Sequence, residues 1–310
     1  MRFSPESERR GERILQSRKS VLRALRIGLA SLALLLLPPP IQATLYVIIL
    51  DRQEIAIASD GQRTIFLHGK ISPASQTTEK VTRLNTKLAF MCSGLVEITT
   101  PTVDIRLSEI ARTVSLKPTP EGAPPFSMNE LANQFGKTIG DRLEELSPEG
   151  RNQMLALRQQ LGGETSQIFE CMFAGVDADG TLKTETVDVF TSSVDHGVPH
   201  FAYHSEEAVG SESPRIILSG EVAGLQTGFQ DPQSPIAGLA EFRAWAEAFQ
   251  RRRLDSSRTA EALLALAIKY PQQGAKQRLG YPIHVYLVNR EEGFKKLKTV
   301  PEGRALGLPD

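Results

Sequence analysis

From residue 44 the chain runs through an unbroken apolar stretch, Thr44-Leu-Tyr-Val-Ile-Ile-Leu50, rich in β-branched residues and of strand length. Asp51-Arg52-Gln53 supplies a turn, and Glu54-Ile-Ala-Ile-Ala-Ser-Asp60 continues with a period of two. Two further strands are expected at Lys80–Leu84 and Lys87–Cys92, joined by Asn85-Thr86. The period then lengthens. Val103, Ile105, Leu107, Ile110 and Ala111 recur at roughly helical spacing across 102–113. Ser127 is placed to cap a helix running toward Leu146, with Leu131, Ala132, Phe135, Ile139 and Leu143 on one stripe. The Pro- and Gly-bearing stretch Pro118–Pro125 reads as a loop, and 148–161 as another helix. Strands return at Gln167–Val176 and Leu182–Phe190, separated by the hairpin signal Asp177-Ala-Asp-Gly180. Residues 191–214 read as a polar excursion. Arg215–Ser219 reads as a strand, Ala237–Arg251 and Ser257–Tyr270 as helices, and Tyr281–Asn289 as a last strand before a polar tail.

The order strands, helices, strands, helices, strand is that of an α+β protein. Two sheets packed face to face, with helices on both outer surfaces, would bury every stripe. The pattern divides the chain into a leader (1–43), one domain (44–290) and a C-terminal tail (291–310), with no internal repeat.

Composition adds a charge asymmetry. The 310 residues hold 36 basic and 36 acidic side chains; residues 1–43 carry eight of the basic and three of the acidic ones, leaving 28 against 33. A mildly acidic body lacks the clustered basic face that phosphate neutralisation requires, so no nucleic-acid partner is expected. The leader has a basic region ending near Arg26, an apolar run from Ile27 to Leu37, the helix-breaking Pro38-Pro39-Pro40, and Ile41-Gln42-Ala43 resembling a cleavage site. This run of eleven residues falls short of the about 20 needed to span a bilayer. The expected location is therefore exported, periplasmic or extracellular, or membrane-anchored through this segment if it is retained. Two cysteines occur, Cys92 and Cys171, both in strand-like apolar surroundings, compatible with a disulfide or with two buried thiols.

The candidate chemistry is that of a hydroxyl nucleophile, which needs a base to take its proton. A threonine at a free N-terminus carries one, because an α-amine has an ordinary pKa of about 7.7–8.0. A neighbouring ammonium would push that value down, a carboxylate would hold the ammonium, and a backbone N–H would receive the oxyanion. Thr44, Asp60, Lys80 and Gly94 offer these parts. Asp60 follows Thr44 by sixteen positions in Ala58-Ser59-Asp60, and Thr64 comes four later. Lys80-Val-Thr-Arg-Leu84 opens a strand, and Gly94, in Cys92-Ser93-Gly94-Leu95, lies fourteen beyond Lys80. In order and spacing these features, with Phe173-Ala-Gly-Val-Asp-Ala-Asp-Gly180, resemble the proteasome β-subunit family of N-terminal nucleophile hydrolases, over about 44–290.

The resemblance implies a four-layer αββα sandwich, a Thr44 nucleophile, a Lys80 that lowers its amine pKa, an Asp60 that positions Lys80, and a Gly94 oxyanion donor. It further implies that Thr64 docks a peptide or protein substrate, that copies of the chain assemble, with a ring as one form, and that no metal or organic cofactor is required. The chain also departs from the family. Gln62 stands where an arginine is usual, with Arg63 beside it, and the Asp60–Lys80 interval is four residues longer, an insertion assigned to a loop at 65–76. Ser219-Gly220 is the one counterpart for the serine that supports the nucleophile. The stretch Lys269–Ile283 lacks the aspartate and serine that precede the family's last strand. An amidase of small molecules or cell-wall peptides and a non-catalytic structural or binding subunit therefore stand beside the peptidase reading. His196, His200 and His204 recur every four residues, but Gly197 and Pro199 oppose a helix and a metal site there. Asp177 and Asp179 read as hairpin residues, Arg251–Arg253 as a solvated helix end, and Phe242 and Trp245 as inward-packing.

Overall fold

Strand β1 (Leu45–Leu50) is buried at every position, on both faces, which is why it reads as a continuous apolar run rather than an alternating one. Leu45, Val47 and Ile49 join one core cluster, while Tyr46, Ile48 and Leu50 join another. This architecture comes from a computed structural model of the chain, which describes residues 45–61, 64–67, 70–73, 79–94, 97–99, 103–116, 127–160, 167–220, 223–270 and 280–303. The leader, the loop expected at Pro118–Pro125 and residues 271–279 lie outside the described residues.

The fold is α+β. Antiparallel β2 (Glu54–Asp60), β12 (Arg215–Gly220), β13 (Ile283–Asn289) and β14 (Gly293–Val300) join β1 in a five-stranded sheet ordered β12-β1-β2-β13-β14. A second antiparallel sheet contains β5 (Val81–Arg83), β6 (Leu88–Gly94), β9 (Gln167–Val176), β10 (Leu182–Asp195) and β11 (Val198–Val209), ordered β11-β10-β9-β6-β5. One core cluster takes Tyr46, Ile57 and Tyr286 from the first sheet and Ala89, Met91 and Met172 from the second, so the sheets face each other.

The outer face of the second sheet carries aromatics instead. Phe90 and Phe173 meet Phe135 of helix α2 (Met128–Glu144) with ring centroids 5.0–5.3 Å apart. Ser127 caps α2 in a reciprocal box with Glu130, and Gly136 is needed where the helix crosses β11, because a Cβ there would lie 2.4 Å from the Tyr203 ring. Helices α1 (Leu107–Ser115) and α3 (Pro148–Gln160) flank it. Helices α4 (Ala223–Gln230), α5 (Ala240–Gln250) and α6 (Ser256–Lys269) contribute to the cluster that covers the first sheet. Phe242 and Trp245 point inward there, the Trp245 indole N–H donating to the Thr259 carbonyl at 3.1 Å.

The structure departs from the sequence-based expectations in several places, one being helix α4, in a stretch for which no element is expected. The polar excursion expected over 191–214 is the far half of a long hairpin, β10–β11, turning at His196-Gly197 with positive φ at both residues. The expected polar tail holds β14, paired along β13 and ending on the buried Val300. The insertion assigned to a loop at 65–76 contains two strands, β3 (Thr64–Leu67) and β4 (Lys70–Pro73). They build a small third sheet with β7 (Glu97–Thr99) and β8 (Asp104–Arg106), in which β3 and β7 run parallel. The helix expected from 102 starts at Leu107, since 104–106 form β8.

Candidate active site

Asp60 and Lys80 meet where β1 begins and β2 ends. Asp60, the last residue of β2, is fully buried, and its Oδ1 lies 2.8 Å from Lys80 Nζ. The lysine side chain is only 4% exposed. The same carboxylate oxygen accepts the backbone N–H of Leu45 at 2.9 Å. Taking two charges out of water costs several kcal/mol each, and their attraction offsets this only where further hydrogen bonds complete the pair. The Leu45 amide is one such bond, and it fixes the chain one residue after position 44. Thr44 itself lies outside the described residues, as do Gln62 and Arg63.

The strand registers place three other expected residues. Ser219 is buried and stands opposite Tyr46, with Gly220 opposite Leu45. Gly220 has φ +98°, a conformation open to glycine and strained for other residues. Gly94 ends β6, opposite Phe169. Thr64 begins β3 in the third sheet, opposite Pro73.

Two residues of this region carry no site role in the sequence reading. Tyr46 is fully buried, and its hydroxyl donates toward the carbonyls of Lys80 (3.2 Å) and Cys92 (3.0 Å), across the gap between the sheets. Its signal in the sequence is a lone hydroxyl-bearing aromatic inside an aliphatic strand, since a buried tyrosine needs a partner for its O–H. His284 on β13 stands opposite Ser59 and is 3% exposed. Its Nδ1 shares a 3.2 Å hydrogen bond with Thr299 Oγ1, while its Nε2 and the Ser59 hydroxyl have no partner among the described residues. Burial pushes the His284 pKa below the ordinary histidine value; the Lys296 and Lys80 cations add to this and Glu79 opposes it. The ring is therefore neutral near pH 7.

Cys92 and Cys171 form a disulfide between directly opposed residues of β6 and β9, with Cα atoms 4.1 Å apart. It ties the strand that ends at Gly94 to the centre of its sheet.

The remaining candidates are structural. His196 lies at the hairpin turn, His204 faces Asp188 across the β10–β11 ladder, and His200 Nδ1 meets Glu144 at 3.1 Å beside the Arg151–Glu144 ion pair. Asp177 accepts the Met128 N–H at 2.7 Å and pairs with Lys183 at 2.8 Å, fastening the hairpin to the start of α2. Arg251 ends α5. Among the described residues, no three His, Cys, Asp or Glu side chains form a group able to hold a metal ion. Among them, too, no helix is long and apolar enough to cross a membrane. A solvent-open cleft lies at the opposite end of β1, where Arg52 pairs with the Glu212 carboxylate and Arg252 donates to the Glu212 main-chain carbonyl.

Chemically, the arrangement offers a buried ammonium, held in place by a carboxylate, beside the first residues of β1. Such a cation disfavours a second positive charge nearby and favours the neutral form of any amine there. No protein-family model matches the sequence, and no curated protein matches it.

Proposed function

We propose that the chain, once cut before Thr44, is a threonine-type hydrolase of amide bonds with the αββα architecture of N-terminal nucleophile enzymes. One observation carries the reading: the buried Asp60–Lys80 pair accepts the amide hydrogen of Leu45, which sets its ammonium beside the start of the chain that such a cut would create. The layering of two facing sheets with helices on their outer sides supports the architecture.

In this mechanism the Thr44 hydroxyl oxygen attacks the substrate carbonyl carbon while the Thr44 α-amine takes its proton. The Gly94 N–H receives the oxyanion. The C–N bond then breaks as the departing amine accepts that proton, leaving an acyl ester on Thr44. Water, deprotonated by the same amine, cleaves the ester and restores the hydroxyl. Lys80 keeps the α-amine neutral near pH 7, and Asp60 keeps Lys80 in place. Thr64 docks the substrate backbone as an added strand, Ser219 supports the nucleophile, and no metal or organic cofactor takes part. Substrates are peptides or proteins, copies of the chain associate, and signal peptidase removes 1–43 in the course of export.

Because Lys269–Ile283 holds neither the aspartate nor the serine of the family's stretch, two further readings remain: a small-molecule or cell-wall amidase, and a subunit that keeps the fold without chemistry. One experiment separates them. Matured protein is treated with a threonine-directed covalent warhead, and intact mass and peptide mapping locate the adduct. Addition on Thr44, lost in Thr44→Ala, supports a hydrolase, and turnover of peptide against small-molecule amides then distinguishes peptidase from amidase. Folded protein that starts at Thr44 and stays unlabelled refutes both. N-terminal sequencing of the exported fraction tests the cleavage point.

A further inference from the structure

β5 pairs with β6 through Val81↔Met91, Thr82↔Phe90 and Arg83↔Ala89. Continued by one step, that register would set Lys80 opposite Cys92. The ladder stops there, and at that point the Tyr46 hydroxyl reaches both residues, 3.2 Å from the Lys80 carbonyl and 3.0 Å from the Cys92 carbonyl. The ring crosses the core between the sheets beside Ala89 and Met91, so a residue of β1 pegs the place where the two strands of the opposite sheet part.

We propose that Tyr46 is a positioning residue of the Thr44 site, holding the Lys80 main chain where its ammonium meets Asp60 and holding, through Cys92, the strand that presents Gly94. The proposal rests on the hydrolase reading above. Three links support it. Lys80 leaves the β-ladder at the pegged carbonyl, and its side chain ends on the carboxylate that also receives the Leu45 amide. Cys92 lies two residues before Gly94 and is fixed on its other side by the bridge to Cys171. Tyr46 is itself two residues beyond Thr44, so one side chain sets the spacing among nucleophile strand, lysine and oxyanion strand. A misplacement of about 1 Å in such a constellation can cost on the order of 100-fold in rate.

The test compares two single-hydroxyl deletions in the matured full chain, Tyr46→Phe and Tyr286→Phe. Tyr286 lies in the same inter-sheet core, but its hydroxyl has no partner among the described residues. For Tyr46→Phe, kcat for a peptide amide falls roughly 10- to 100-fold, with KM held within about twofold. The acid limb of its kcat–pH profile moves to higher pH, because a displaced Lys80 no longer depresses the α-amine. Tyr286→Phe leaves kcat, KM and the acid limb at wild-type values. An unchanged rate and acid limb in Tyr46→Phe overturns the proposal and leaves the hydrolase reading standing. An equal loss in Tyr286→Phe overturns it in favour of general loosening, and failure of Tyr46→Phe to fold overturns it in favour of a purely structural bond. A wild type that neither turns over nor gains mass from the warhead removes the hydrolase reading and this inference together.

Discussion

Two aspartate–lysine pairs in this molecule share a distance and differ in setting. Asp60–Lys80 and Asp177–Lys183 each close at 2.8 Å, and each aspartate also accepts the backbone N–H of the first residue of another element, Leu45 of β1 or Met128 of α2. Lys183 has further acids around it, Glu207 at 3.2 Å and Asp179 at 3.8 Å, beside a turn open to water. Its pKa is raised well above the lysine norm, chiefly by the bond to Asp177. That cation is neutralised several times over and serves as a staple between hairpin and helix. Lys80 is buried with Asp60 where β1 begins, and on the proposed reading its charge acts on the amine freed by a cut before Thr44. Pair geometry alone does not separate staple from site; the element that receives the third bond does.

Removing one acid from each pair tests this contrast at its strongest. Asp60→Ala removes the fully buried member of its pair together with the acceptor of the Leu45 amide, and is expected to cost about 3–5 kcal/mol of stability. Asp177→Ala leaves Glu207 and Asp179 with Lys183, and is expected to cost about 1–2 kcal/mol. Denaturant melts of the two variants give the comparison, and equal losses would dissolve it. The double replacement Asp60→Leu with Lys80→Met sharpens the point. Apolar side chains of similar length in place of a buried pair are often neutral or stabilising, so the double variant is expected to regain stability lost in Asp60→Ala while staying inactive toward any amide. Recovery of turnover in it would mean that Lys80 has no chemical role.

A smaller effect distinguishes the two ends by pH. His284, beside Lys80, has a folded pKa below the ordinary 6.5. Between those values the unfolded chain binds the proton and the folded chain does not, so stability falls as pH drops below about 6.5 and levels off beneath the folded value. The carboxyl of Asp177 behaves in the opposite sense: burial raises its pKa, but the Lys183 bond and two backbone N–H bonds outweigh this, and the net shift is downward. Its contribution is complete above 3.8 and disappears as pH falls through the lower folded value. Stability–pH curves of His284→Phe and Asp177→Asn should therefore flatten in different windows, the first mildly acidic and the second strongly so.

Much of this arrangement is legible in the sequence wherever burial imposes a period. β1 and β2, the Ser127 cap and the Asp177–Gly180 turn follow from residue type alone, because each element is covered by others or closed by its own side chains. The period fails where cover is missing. β11 projects Glu206 and Glu207 into solvent, and β14, an edge strand, carries Lys295, Lys296 and Lys298, the charged decoration that edges use to resist pairing. Both therefore look like loops. β3, β4, β7 and β8 have three or four residues each, too few to show any period. Asp60 and Lys80 stand out as a pair only through spacing shared with a known family, since nothing local links residues twenty apart. Tyr46 was legible as a strand residue and illegible as a clamp, because its partners are backbone carbonyls that no side-chain pattern records.

The bridge between β6 and β9 has a practical corollary. Cys92 is 3% exposed and Cys171 1%, beneath the layer that includes Phe135 and Ile139. A soluble reductant attacks a sulfur only when it can touch it, and here contact requires the helices to lift away from the sheet. At saturating reductant, the rate of thiol release should stop rising with reagent concentration and settle at the opening rate of that layer. The two sulfurs would then serve as a clock built into the molecule, timing how often its core comes apart.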